Sequence, residues 1–226
     1  MPIIKSKKLR EFFNFCLPLI VMPISIIVMH YINLNYAVYI FIMFVLCDIY
    51  FISGYERKNI GIRRLIVCAV MISICIVGRF IPLFNPIACI TILTAINLGS
   101  ESGFLVGSMS ILLSNFFYGQ GPYTPFQMFA FGFIGYVAGL IGDKLKKNYF
   151  LLIVYCIIAG VLYSNIMDIW TVLWYNDTFD FGLYLKALYT AIPFTILYVS
   201  SNLIFILILN KPFSHKFDRI KLKYGI

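Results

Sequence analysis

Few residues in this chain could perform covalent chemistry. His30 and His215 are the only histidines and stand far apart. No His-Glu-x-x-His pair, nucleophile elbow or cluster of carboxylates on one helix face is present. Cys16, Cys47, Cys68, Cys75, Cys89 and Cys156 all lie inside apolar runs and none has Cys-x-x-Cys spacing. They read as small packing residues, since neither zinc ligation nor a disulfide framework fits that pattern. The Gly-x-x-x-x-Gly-Lys-Ser/Thr loop is missing, so ATP is not bound in the Walker manner. What remains is the chemistry of recognition. Arg79, Asn85, Gln120, Tyr123, Gln127, Trp170 and Trp174 fall in or beside three short stretches, RFIPLFNP (79–86), GQGPYTP (119–125) and WYNDTFDFG (174–182). Phe84 and Phe126 stand next to them. Amide and guanidinium groups among flat rings suit a mostly apolar pocket with a few polar anchors.

Each of these features also has an ordinary explanation. Pro86, Pro122 and Pro125 sit where helices start, where proline's missing N–H costs nothing. The rings could form an interfacial aromatic belt. Arg79 is either a side chain snorkelling from a helix end or an anchor for a ligand carbonyl, amide or phosphate. Asp168 lies within an apolar helix, where an ionisable group is costly, and an ion pair with Arg79 is one way to accommodate it.

The elements that must position these residues are membrane helices. Of 226 residues, 62% are hydrophobic and 12% charged, and mean hydropathy is +0.92. Soluble domains are nearer half apolar and a quarter charged. Continuous apolar runs, not ten-residue alternation, exclude a β-barrel reading. The runs place eight spans at about 12–30, 36–53, 64–79, 87–99, 103–118, 126–142, 149–171 and 184–209, the fourth short for a full crossing of roughly 30 Å. The basic start MPIIKSKKLR resembles a signal peptide, but no small-x-small cleavage site follows, so a retained helix is expected.

Charge sets the orientation. With both termini cytoplasmic, Lys5, Lys7, Lys8, Arg10, Arg57, Lys58, Arg63, Arg64, Lys144, Lys146, Lys147, Lys211, Lys216, Arg219, Lys221 and Lys223 all fall inside. Only Arg79 and Lys186 of the 18 basic residues remain outside. The formal charge of +9 is thus a topology signal that needs no nucleic acid. All three stretches named above then face outward. Gly103 and Gly107, and Gly135 and Gly139, form Gly-xxx-Gly pairs expected to pack helices within the subunit. Ala69 and Ser73 give a small-residue face that could instead meet another protein.

The run from Gly78 to Asp143, with GQGPYTPFQM as its specific part, resembles substrate-binding S components of energy-coupling factor (ECF) vitamin transporters. The similarity is greatest to the branch that includes the cobalamin-specific members, whose loop reads Gly-Gln-Gly-Pro-Trp-Thr-Pro-Trp-Gln-Met. Tyr123 and Phe126 stand here for the two tryptophans. The resemblance covers about residues 50–226, including the tail FDRIKLKYGI. It implies an all-α membrane fold: two extra helices within 1–62, a six-helix substrate-binding core over 63–210 and a basic cytoplasmic tail, 211–226. It implies a vitamin, cobalamin by this reading, bound near the outer face by Arg79, Phe84, Asn85, Gln120, Tyr123, Phe126, Gln127, Trp170 and Trp174. It also implies docking on a transmembrane T subunit carried by two cytoplasmic ATPases. Family members use Ala-xxx-Ala on the first core helix for that contact, so Ala69 and Ser73 are the docking residues, the second departing from the pattern but still small. No permanent cofactor or metal is implied, and localisation is the cell membrane of a prokaryote. Another vitamin or precursor such as riboflavin, and a non-transporting membrane assembly factor, are the alternatives.

Overall fold

In a computed structural model of the chain, residues 12, 15–32, 35–58, 62–176 and 178–224 are described. Lys5, Lys7, Lys8, Arg10 and Asp177 lie outside them. Every regular element among the described residues is helical. Leu17–Val21 winds one wide π turn at Pro18 and runs into α1 (Met22–Tyr31). Then come α2 (Tyr36–Lys58), α3 (Ile62–Gly78), α4 (Ile87–Leu98), α5 (Ser100–Tyr118), α6 (Thr124–Leu140), the short α7 (Gly142–Lys147), α8 (Tyr149–Asn176) and α9 (Phe181–Tyr224).

Two of these, Tyr149–Asn176 and Phe181–Lys223, are long and apolar enough to cross a membrane unaided. Helices α3, α5 and α6 have 17, 19 and 17 residues, or about 25–29 Å at 1.5 Å per residue. Helix α4 has only 12, about 18 Å. All 12 of its residues are buried, packed by α3, α5, α6 and α9. A helix apolar all round and shorter than the bilayer belongs in the centre of a bundle.

The sequence reading misjudged two boundaries. The expected break over GSES is a single residue, Gly99, whose φ of 96° permits the reversal between α4 and α5. The tail expected to be separate is helical to Tyr224, continuing α9 through Pro212. Its lysines and arginines are good helix formers, and Phe217 buries itself against the bundle.

The most extensive contact between helices is α5 against α6. It is made by glycine. A Cβ on Gly103 would come within 2.7 Å of the Gly135 carbonyl oxygen, and one on Gly107 would strike the Phe131 carbonyl. A Cβ on Gly139 would strike the backbone of Ser100. Backbone meets backbone along the whole pair, which is what small residues at i and i+4 allow. The N-terminal helices lean on this pair, Tyr50 of α2 meeting the rings of Phe104 at 5.1 Å and Tyr136 at 6.0 Å.

Candidate functional site

Two reversals, 79–86 between α3 and α4 and 119–123 between α5 and α6, meet at one end of the bundle. Asn115 is the hub there. It is fully buried near the end of α5, and its Oδ1 accepts from Arg79 Nη1 at 2.6 Å. Its Nδ2 donates to Thr124 Oγ1 at 3.1 Å and Gln127 Oε1 at 3.0 Å. Arg79 Nη1 also donates to Ser114 Oγ at 2.5 Å, and its guanidinium lies 4.6 Å from the centre of the Tyr118 ring. The Tyr118 hydroxyl returns a hydrogen bond to the Arg79 carbonyl at 2.8 Å. Arg79 is therefore held at its edge by hydrogen bonds and over one ring, a geometry that favours a planar guanidinium over a flexible ammonium.

The same network holds the loop. Thr124 Oγ1 accepts from Gly121 N at 3.2 Å and donates to Gln120 Oε1 at 3.1 Å, while Gln120 Nε2 reaches the Leu112 carbonyl at 2.8 Å. Tyr123 donates to the Gly119 carbonyl at 2.7 Å. Gly119, at φ 100°, takes a conformation open to glycine and few others.

From the hub, two lines of side chains run towards α8 and α9. Gln127 Nε2 reaches the Tyr163 hydroxyl at 3.4 Å, and Tyr163 meets Tyr198 edge to face at 4.8 Å. Phe126, Trp170 and Trp174 form an aromatic row with centroid spacings of 5.3 and 5.2 Å. Arg79, Gln120, Tyr123, Phe126, Gln127, Trp170 and Trp174 thus share one end.

Asn85 lies deeper. Its backbone N–H donates to Ser201 Oγ at 2.7 Å, and that hydroxyl donates back to the Asn85 carbonyl at 2.9 Å. Its side-chain oxygen accepts from Ile87 N at 3.0 Å and starts α4. Asn85 spends these groups on shaping the turn. Phe84 is half-buried beside it, after Leu83, whose φ of 67° is strained for a residue with a Cβ. No Arg79–Asp168 ion pair forms among the described residues: Arg79 turns to Ser114 and Asn115. Asp168 is 7% exposed, with Oδ2 lacking a hydrogen-bond partner there.

The sequence reading missed Ser114, Asn115, Thr124, Tyr163, Tyr198 and Ser201. Polar groups at membrane depth are costly unless paired, so Asn115 inside an apolar helix was a usable signal. The tyrosines were hidden among the 16 of their kind in the chain. Asn85, Phe131, Tyr163, Tyr198 and Asn202 line a void of about 10 Å³, at the lower limit of the roughly 10–15 Å³ that a single water needs. In this conformation Asn115, Arg79, Thr124 and Gln127 satisfy one another.

The docking candidates lie elsewhere. Ala69 and Ser73 are exposed on α3, in an apolar groove of about 590 Å³ with Ile66, Val70, Ile74 and Val77. Ser73 Oγ folds back on the Ala69 carbonyl at 2.9 Å, leaving a methylene and small side chains facing out.

Fold and site together define an all-helical protein whose assembled groups are donors, acceptors and rings suited to recognition. A family model, ECF transporter, substrate-specific component, matches residues 63–211, and the chain belongs to that family. It is a substrate-specific membrane subunit of an ECF transporter of a prokaryotic cell membrane, working with T and ATPase subunits. Neither a curated protein nor a solved structure matches the chain.

Proposed function

We propose that this subunit captures a corrinoid, cobalamin or a close relative, at the end built around Asn115. It then releases the ligand inward when docked through Ala69 and Ser73 on the T subunit. The observation that carries this reading is the GQGPYTPFQM loop, held over an aromatic row of Phe126, Trp170 and Trp174. Broad rings beside amide anchors suit a large ligand with both apolar edges and amide side chains. Eight spans complete the proposal, with both termini cytoplasmic and residues 119–125 and 172–183 outside. The six core helices lie in 63–210, two more precede them, and the basic segment 211–226 faces the cytoplasm. Arg79, Phe84, Asn85, Gln120, Tyr123 and Gln127 join the aromatic row as the binding set.

The closed void means that binding requires movement. Helices α5 and α6 are locked by glycine, so the moving part is the outer half of α8 and α9. There Trp174, Tyr175, Leu185 and Tyr189 are exposed.

The purified chain in detergent, titrated with cyanocobalamin and separately with riboflavin, tests the reading. Saturable binding of the corrinoid with no response to riboflavin is expected. Riboflavin binding alone would reassign the substrate. Binding of neither, by folded protein, would leave the assembly-factor alternative.

A further inference from the structure

At the opposite end of the bundle, α3 starts, α4 passes into α5 and α6 passes into α7. A cavity of about 520 Å³ opens there, lined by Arg64, Asn97, Gly99, Asp143, Lys146 and Lys221 among others. That volume is in the range of small-molecule sites. Arg64 is 5% exposed, and its Nε and Nη2 have no hydrogen-bond partner among the described residues. A buried guanidinium with open donors is expensive. The glycines that let α6 pass close to the α4–α5 joint do not explain it.

The neighbouring charges bear on what could satisfy it. Lys146 donates to Asp218 at 2.8 Å and to Asn97 Oδ1 at 3.3 Å, so Asp218 is already engaged. Among the lining residues, three basic groups face a single acidic one, Asp143. Glu101, in the first turn of α5, is the other carboxylate that acts on Arg64. Lys221 lies close enough to feel Lys146: burial first, and then that like charge, push its ammonium below the usual range. Leu140, 59% exposed, lines the same cavity with an apolar surface. Basic cavities between helices at a cytoplasmic membrane face are where anionic headgroups bind.

We infer that this cavity is a binding site for an anionic phosphate group, with the Arg64 guanidinium as its principal cation and Lys221 as its second. The phosphate comes either from the headgroup of an anionic lipid whose chain lies along Leu140 or from free phosphate. The site is separate from the vitamin end, and testing it needs neither a vitamin nor the ATPases.

The experiment titrates the purified full chain with short-chain phosphatidylglycerol, phosphatidylcholine and inorganic phosphate, read by native mass spectrometry and by melting temperature. Phosphatidylglycerol is expected to bind roughly tenfold more tightly than phosphatidylcholine. Arg64→Gln and Lys221→Gln should each weaken it by about the same factor, the loss of one charge-assisted hydrogen bond. Stabilisation by inorganic phosphate equal to that by the lipid would assign the site to free phosphate. Equal binding of both lipids with no effect of either variant would overturn the inference. If Arg64→Gln does not fold, Lys221→Gln decides alone, because Lys221 is only half-buried. Binding of neither lipid nor phosphate also overturns it. Should Arg64→Gln then weaken capture of the T subunit, the arginine serves a protein partner.

Discussion

The two ends of the bundle treat buried polar groups in opposite ways. Around Asn115, the side-chain amide is answered by Arg79, Thr124 and Gln127, and the void beside Tyr163 and Tyr198 is only about 10 Å³. Around Arg64, a cavity of about 520 Å³ stands open, and two buried guanidinium nitrogens have no hydrogen-bond partner among the described residues. The first end has little space to spare, so anything bound there must displace existing contacts. The second has its space already open. Pairing inside the protein gives rigidity, whereas an open cavity leaves a charge to be answered from outside. This subunit carries both solutions roughly one helix length apart.

Substitutions can break or sharpen that contrast. The largest effect is expected at Gly135, in the α5–α6 contact that supports both ends. Gly135→Leu would drive a side chain into the Gly103 backbone and the Thr91 methyl, costing about 3 kcal/mol, the upper end of ordinary overpacking. Folded protein should nearly vanish from size-exclusion profiles. A normal yield would mean that the two helices can separate, and that the closed end is not braced from below.

Asn115→Leu comes next. It keeps the volume but strips Arg79, Thr124 and Gln127 of a shared partner, at a cost of about 2–3 kcal/mol. Urea unfolding followed by tryptophan fluorescence reads this directly. A loss below about 0.5 kcal/mol would show that water replaces the hub, and that the first end is less self-contained than its geometry indicates.

Ser73→Leu tests a surface outside both ends. Its side chain is exposed in an open groove, so the isolated chain should change by less than about 0.5 kcal/mol. Capture of the T subunit should fall several-fold while ligand titration is unchanged. Weakened ligand binding with intact capture would remove Ala69 and Ser73 from the docking role.

The smallest effect belongs to the exposed pair near the basic end. The hydrogen bond from Lys146 holds the Asp218 carboxyl below the usual carboxylate range. Such a depressed group stabilises the fold above its unfolded value of about 3.9 and loses that contribution as pH falls through its folded value. Asp218→Asn should therefore cost less than about 0.5 kcal/mol at neutral pH and nothing in strong acid, as unfolding at the two pH values would show. A larger loss would mean that Asp218 is needed to hold Lys146 in place at the rim of the Arg64 cavity.

Much of this architecture was readable from the chain, and the failures have physical causes. Apolar runs and basic loops marked the helices because a bilayer imposes length and charge rules on each segment separately. Glycine spacing marked the α5–α6 contact because close approach needs small residues at fixed intervals. Helix α4 looked like a short span because composition cannot separate a helix facing lipid from one facing other helices: both are apolar all round. The gap between 99 and 103 and the separate tail over 211–226 were misjudged, since one residue at positive φ suffices for a reversal and a long helix absorbs Pro212. Arg79, Gln120 and Gln127 stood out as polar residues among apolar ones. Their partners did not, because Ser114, Asn115 and Thr124 look like ordinary small or turn residues until the two reversals bring them together.

The Asn85–Ser201 clamp has a consequence in time. Asn85 is made 116 residues before the hydroxyl that answers its backbone N–H and C=O. At synthesis rates of about 5–20 residues per second, the wait is on the order of 10 s. Through that interval the α3–α4 turn has its chain but not its lock, while α5 and α6, neighbours in sequence, can already have met. The subunit is thus finished from its glycine spine outward, and the α3–α4 turn is locked only once α9 has arrived.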